Sequence, residues 1–373
     1  MKPTLMPAVA ATKGPVLVVG TGLIGTSIAL ALTRLNVPVW LQDLSPTAQA
    51  LAADMGAGSI YQGDDTPSLV IVATGPDVTA KVVCDCLDRF PNAIVTDVAS
   101  VKEAVVAKVE DHPQASRYVG SHPMAGREVA GPAAADADLF QGRPWVCVPT
   151  EASSPTAFLA VRELATDVGA IVSQLPAKEH DQAVALVSHV PQLVSSALAA
   201  RLAQAAPNAL SLAGGGLRDT TRIAASDPRL WTAILGQNAK SVASVLGPLV
   251  ADLNQLLSAF QASEEATVAL PPGLLGAINQ VMLAGNEGVK RIPGKHGDSP
   301  IQLAEVGVLV PDKPGELGRL FAEVGDAGIN IEDLRIEHSV GQQVGLVWLS
   351  VAPVTAQVLS DFLTNQNWRV VLA

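Results

Sequence analysis

The sequence is short of the features that mark secreted, membrane-spanning or nucleic-acid-binding chains. It has three cysteines in 373 residues, Cys84, Cys86 and Cys147. Three cannot build a disulfide framework. Cys84 and Cys86 stand two apart in a predicted helix, on different faces, where they make poor metal ligands. All three read as small buried residues in a reducing compartment. Long apolar runs are missing too. Gly, Pro or a charge interrupts them before the roughly 18 residues of a membrane span accumulate. The opening MKPTLMPAVAATKG has no long apolar stretch before Pro15, which predicts a cytoplasmic chain without a signal peptide. Charge is sparse, 16% of residues, and 24 Lys and Arg against 35 Asp and Glu leave a net −11. Nucleic acid and anionic membrane surfaces require the opposite sign.

What is present is apolar material for a large core, 49% of residues, in a length that suggests two or three domains. From Pro15 to Pro176, short runs rich in Val and Ile alternate with helix-like stretches: PVLVVG, VPVWLQD, SLVIVA, AIVTDV, YVGSHP, WVCVP and AIVSQL. Such runs separated by helices predict an α/β domain over 1–176, a Rossmann-like parallel sheet covered on both faces. After Pro176 the strand signal stops. Ala- and Leu-rich stretches of helical period predict an all-helical domain over 177–297, low enough in charge to interlock with a second copy. GNEGVKRIPGKHGDS, from Gly285 to Ser299, reads as a linker. The remaining 300–373 restarts as β-α-β-β-α-β, the ferredoxin-like plan.

Gly20-Thr21-Gly22-Leu23-Ile24-Gly25 follows the first strand run and opens a helix. In that context Gly20 makes the tight turn, Gly22 lets backbone approach a pyrophosphate, and Gly25 lets helix and strand pack closely. Asp43 ends the next run, where a carboxylate accepts ribose hydroxyls and repels a 2′-phosphate, so NAD is preferred to NADP. Two further segments end strands on the same rim. In VTDVASVK, Ser100 can hydrogen-bond near a nicotinamide, while Asp97 could equally cap the next helix. In GSHPMAG, His122 lies among small residues, open to act as base for a hydroxyl, or else is a satisfied structural histidine. His180 and His189 share a predicted helix about two and a half turns apart, so at most one should meet the cleft. With no carboxylate or thiolate at ligand spacing they make a poor metal site, and no metal is expected. In GGGLRDTTRIA, Arg218 and Arg222 share a helix face suited to gripping a carboxylate, or else to a surface ion-pair face with Asp219, Asp227 or Arg229.

GTGLIGTS, VTDVASVK, GSHPMAGRE, the VSHVPQ helix and GGGLRDTTRIAASDPRLW together resemble the prephenate/arogenate dehydrogenase family of tyrosine biosynthesis, over roughly Val16 to Gly297. The resemblance implies an NAD-dependent enzyme, a homodimer whose small-molecule substrate is prephenate or arogenate. It implies that His122 hydrogen-bonds the substrate 4-hydroxyl and assists hydride transfer, with Ser100 orienting both. It makes His189 a second active-site histidine and Arg222 the carboxylate-binding arginine, with Asp219 and Trp231 in the same substrate block. The tail, VLVPDKPGELGRLFAEVGDAGINIEDLRIEH, resembles an ACT domain, a regulatory module that binds amino acids. That implies tyrosine as effector, held near Pro314 and Gly315 in its loop-to-helix turn and Asn330 and Ile331, which open its second strand. The chain departs from the family pattern at three places. Gln192 stands where many members have histidine, Arg127 where Ser or Thr is common, and Gly75 where a proline is common.

The expected reaction is therefore oxidative decarboxylation of prephenate to 4-hydroxyphenylpyruvate. Arogenate, with an amino group in place of the side-chain keto group, is not separated from it by the sequence. A hydroxyacid dehydrogenase of the same plan would place a lysine on the helical domain, and Lys240 lacks a marked context for that role. A non-catalytic amino-acid sensor would not need His122, Ser100 and Asp43 in register on one rim.

Overall fold

The structure is a computed structural model that describes residues 9–127, 129–264, 271–293, 303–338 and 344–372. The chain forms two compact units, one of residues 1–196 with 223–247, the other of 197–222 with 248–373.

The first unit is built on an eight-stranded sheet: β1 (Val16–Val19), β2 (Val39–Gln42), β3 (Ser59–Ile60), β4 (Leu69–Val72), β5 (Ile94–Asp97), β6 (Tyr118–Pro123), β7 (Pro144–Val148) and β8 (Ile171–Gln174). Their order is β3-β2-β1-β4-β5-β6-β7-β8. Seven strands match the Val/Ile runs; the two-residue β3 has too little sequence to announce itself. The sheet is not wholly parallel, because β6 and β7 pair antiparallel. Among the described residues between them only a 3-10 turn at Pro132–Ala134 is helical, and a parallel return needs a longer crossover. Alternate residues of β1 feed two separate cores. Val16 and Val18 pack in a cluster with Ile28, Leu32 and Val161, whereas Leu17 and Val19 pack with Val83, Leu87 and Val105. Burial on both faces is why these strands read as unbroken apolar runs rather than alternating ones.

A helix then runs from Ala177 to Leu202, with a π-helical turn at Ala185–His189. It and the helix Ala239–Ser263 are long and apolar enough to cross a membrane by length and composition, although the sequence runs suggested none would be. The first buries His180, Asp181, His189 and Gln192 in hydrogen bonds, which marks it as the core helix of a folded domain. The second exposes Leu253, Leu257 and Phe260 in the single chain.

In the second unit, helix Pro272–Val289 carries on through the first five residues of the expected linker. Residues 294–299 of that linker lie outside the described residues. Four strands follow, β9 (Ala304–Pro311), β10 (Asp333–His338), β11 (Val344–Val351) and β12 (Arg369–Leu372), in the order β10-β11-β9-β12. Helices Glu316–Asp326 and Pro353–Asn365 complete the β-α-β-β-α-β plan. Val306, Val308, Val347 and Leu349 pack against Leu320, Val324, Leu359 and Leu363. The second strand of this module opens at Asp333, so Asn330 and Ile331 belong to the loop before it. Pro314 and Gly315 do lie at a helix start, with Gly315 as N-cap in the left-handed region at φ 92°.

Candidate active site

The sheet order reverses between β1 and β4, and open α/β sheets bind ligands at such a point, beyond the carboxyl ends of the strands. A cavity of about 660 Å³ lies there, lined by Gly20, Gly22, Asp43, Thr74, Gly75 and Arg89 among others. Gly20 has φ 105°, and a Cβ on it would come within 2.4 Å of the Ala73 carbonyl oxygen. A Cβ on Gly25 would stand 1.9 Å from the Gly20 oxygen, so helix Leu23–Arg34 starts hard against its strand only because both residues are glycine. A Cβ on Gly22, by contrast, would meet nothing within 4 Å: space remains over the turn where a pyrophosphate can approach. Leu23 and Ile24 open the helix whose first N–H groups face that space. Asp43 is set by local bonds. Its Oδ2 accepts the Thr21 N–H at 2.6 Å and the Thr21 hydroxyl at 2.9 Å, and Oδ1 accepts the Ser45 N–H at 2.7 Å. The residues fit a nicotinamide dinucleotide.

A second cavity of about 520 Å³ is lined by Ser100, His122, Arg127, His189, Gln192 and Trp231, with further apolar residues. Ser100 follows β5 and His122 ends β6, on the same rim as Gly20. Behind His122 runs a buried chain of hydrogen bonds. His122 Nδ1 lies 2.9 Å from His180 Nε2, and His180 Nδ1 lies 2.8 Å from Asp181 Oδ1. Asp181 is held in turn by the backbone N–H groups of Lys102 and Glu103, at 2.8 and 2.9 Å. It thereby serves the first turn of helix Glu103–Val109, the role that sequence offered to Asp97. Asp97 instead sits wholly buried with Lys102, its Oδ1 accepting from the ammonium and its Oδ2 from the Tyr118 hydroxyl at 2.7 Å. Burial pushes the Lys102 ammonium below its ordinary range although Asp97 and Asp181 pull it back.

This chain of bonds fixes proton positions. A carboxylate only accepts, so His180 donates from Nδ1 to Asp181. Where His180 carries a single proton, its Nε2 accepts and His122 donates from Nδ1. That leaves His122 Nε2 as its unprotonated nitrogen. Burial first, then His180, Lys102 and His189, hold the His122 imidazole well below its usual range, so it is neutral at pH 7.

His189 receives the opposite tautomer. Asn238 Nδ2 donates to the Asp181 carbonyl at 2.8 Å, which fixes it as the amide nitrogen, and its other hydrogen points to His189 Nδ1 at 3.0 Å. Neutral His189 therefore carries its proton on Nε2. Burial and His180 push it down to about 4, against Asp181. One histidine can accept and the other can donate. Trp231 packs edge-on to His189, ring centroids 6.0 Å apart. The Gln192 amide donates to the Ile223 carbonyl at 2.8 Å.

Of the expected site residues, the structure brings Ser100, His122, His189 and Trp231 together in one cavity and Gly20, Gly22 and Asp43 in the other. Asp219 and Arg222 fall in the second unit, on the short helix Gly215–Thr221 and the 3-10 turn after it. Sequence reasoning missed His180, Asp181 and Asn238 as supports of the two histidines. Their buried polar character on an apolar helix was the available signal.

The sequence profile of the prephenate dehydrogenase nucleotide-binding domain matches residues 28–174, and that of the family's dimerization domain matches 176–269. A probable prephenate dehydrogenase of Streptomyces niveus is 36% identical over 356 residues, 94% of this chain and 98% of that one. Among solved structures, prephenate dehydrogenase from Aquifex aeolicus, in complex with hydroxyphenyl propionate and NAD+, is 27% identical with a TM-score of 0.63, covering 73% of this chain and 97% of that one. Synechocystis arogenate dehydrogenase is also 27% identical, with a TM-score of 0.57 over 73% of this chain and 99% of its own. With an extended sheet that leaves room for a dinucleotide and a paired-histidine cleft on the same rim, the chain belongs to the prephenate dehydrogenase family, a family of oxidoreductases.

Proposed function

We propose that this chain is an NAD-dependent prephenate dehydrogenase, releasing carbon dioxide and 4-hydroxyphenylpyruvate. The observation that carries this reading is the His122–His180–Asp181 chain, which leaves a neutral imidazole with an unprotonated Nε2 beside the cleft. Bound NAD would supply the acceptor for the hydride that leaves C4 of the substrate ring. His122 takes the proton of the 4-hydroxyl as that hydride departs, since the oxygen cannot otherwise shed its charge. The electrons of the bond to the ring carboxylate then pass through the ring to the C4 oxygen, which takes its proton back from His122 as the ring becomes aromatic and the carboxylate leaves as carbon dioxide. Ser100 hydrogen-bonds the hydroxyl and holds it toward His122. His189 donates from Nε2 and keeps the substrate oxygen oriented, and Trp231 fixes the His189 ring edge-on. Arg222, with Asp219 beside it, holds a substrate carboxylate, as the family resemblance implies.

The working form is a soluble cytoplasmic homodimer. The match to a dimerization domain supports this, as do the apolar residues Leu253, Leu257 and Phe260 left exposed on a single chain. The tail is read as an ACT domain that binds tyrosine, with Pro314, Gly315, Asn330 and Ile331 nearest the ligand. Its β-α-β-β-α-β order supports that reading. The test of the reaction is NADH formation with prephenate, arogenate and simple hydroxyacids compared side by side. Turnover of prephenate is expected. Turnover of hydroxyacids alone would overturn the reading.

A further inference from the structure

Prephenate carries two carboxylates, one on the ring carbon opposite the 4-hydroxyl and one at the end of the keto-acid side chain on that same carbon. With that hydroxyl at His122, both carboxylates extend away from His122 along the cleft. The described residues lining the cleft include one permanent charge, the guanidinium of Arg127. Arg127 belongs to the segment Met124–Arg127, which lines both the cleft and an adjoining polar cavity of about 460 Å³ that also holds Asp136 and Arg143. The guanidinium is aimed by fixed acceptors. Its Nη2 donates to Asp136 Oδ2 at 2.6 Å and its Nη1 to the Ala134 carbonyl at 3.1 Å. Asp136 is itself anchored, its N–H donating to Ser27 Oγ at 3.0 Å and its Oδ1 accepting the Asp138 N–H at 3.0 Å. An arginine has five N–H donors in a rigid fork, so these two bonds orient it and leave others to offer. The side chain is 44% exposed, open to an incoming ligand.

Resting on the reaction proposed above, we propose that Arg127 determines substrate specificity: its guanidinium receives the side-chain carboxylate and selects a 2-keto acid over the corresponding 2-amino acid. The ring carboxylate loses its charge as it becomes carbon dioxide, so a cation beside it gains less in the transition state than one beside the side-chain carboxylate. The side-chain carboxylate keeps its charge throughout. Beside it stands a keto group in prephenate and an ammonium in arogenate, and a guanidinium at this place repels the ammonium. Asp136, which could have attracted that ammonium, is neutralised by Arg127 itself.

The pairing makes the variants informative. Arg127→Ser removes the cation and leaves the Asp136 carboxylate uncompensated at the mouth of the cleft. The experiment measures kcat/KM for prephenate and for arogenate in the native enzyme, Arg127→Ser, Arg127→Lys and the double variant Arg127→Ser with Asp136→Asn, each checked for retained NAD binding. The native enzyme should prefer prephenate. Arg127→Ser should raise KM for prephenate about 10- to 100-fold, the range for a lost hydrogen bond to a charged group, and move the preference toward arogenate. Arg127→Lys should keep part of the preference, having the charge without the fork. The double variant should discriminate least. A native enzyme that prefers arogenate, or an Arg127→Ser enzyme with an unchanged ratio, overturns the inference and leaves the dehydrogenase reading standing. A native enzyme that oxidises neither substrate overturns both.

Discussion

Asp181 shows how much one buried side chain can decide. Its Oδ1 takes the His180 Nδ1–H, and that single choice fixes every proton along the line to His122. In Asp181→Asn the amide can donate to His180 Nδ1 instead. His180 would then carry its proton on Nε2 and donate it to His122 Nδ1, and His122 would hold its own proton on Nε2, where a base needs a lone pair. The Asn oxygen can still accept the Glu103 N–H, but the Lys102 N–H loses its acceptor, so retained NAD binding is checked alongside the rates. The expected outcome is a loss in kcat of roughly 10²–10⁴-fold, the range for a disabled acid–base group, with KM for prephenate little changed. Steady-state kinetics on the variant check this. A rise in KM with kcat intact would place Asp181 in substrate binding instead. The same residue also accepts from the backbone of Lys102, so it ties the helical segment from Ala177 to the end of β5. The Lys102–Asp97 pair is wholly buried, and hydrogen bonds from the Tyr118 hydroxyl and the Ala99 N–H to Asp97 make it tolerable.

At the scale of elements, the turn between β1 and helix Leu23–Arg34 and the end of β2 together prepare the cofactor's sugar and phosphate. Asp43 reaches across to Thr21 and so couples the two. Asp43→Ser should both remove the charge that repels a 2′-phosphate and loosen the turn, so the NAD to NADP ratio of kcat/KM should narrow or reverse. An unchanged ratio would mean that another residue reads the ribose. This element was legible in the sequence because strand, glycines, helix and acid fall within one short stretch of chain. Strands β1, β4, β5 and β7 were legible for a related reason: burial on both faces writes itself as Val and Ile. The catalytic support was not. His122 and His180 are 58 residues apart, and nothing in sequence spacing brings them together. The helical count from His180 to His189 holds: His189 lines the cleft and His180 is buried behind His122, with a π-helical turn at Ala185–His189 between them. The antiparallel β6–β7 pair escaped because its strands read like their parallel neighbours, and only the missing crossover helix distinguishes them. The start of β10 escaped because INIEDLRIEH is apolar enough to read as strand from Asn330, whereas pairing with β11 begins at Asp333.

For the whole molecule, the two prephenate dehydrogenase domains are followed by a tail of β-α-β-β-α-β order. A tail that senses tyrosine can regulate only by binding two states of the enzyme with different affinity, a coupling of about 1–3 kcal/mol. Tyrosine should therefore inhibit the full chain and lose that effect in a chain ended within Gly294–Ser299, as rate measurements with each form would show. Equal inhibition of both would place tyrosine in the active site. Base catalysis by His122 is read in the pH profile of kcat/KM with prephenate, comparing native enzyme with His122→Asn. Protonation removes the base, so activity falls as pH falls. Burial has lowered the imidazole's affinity for protons, so that fall should begin below the ordinary histidine value of about 6.5 and leave a plateau through neutrality. His122→Asn, folded and binding NAD, should be slower by roughly 10²–10⁴-fold and lack that acid limb. A His122→Asn enzyme with the native rate, or with the same acid limb, would show that His122 is not the base.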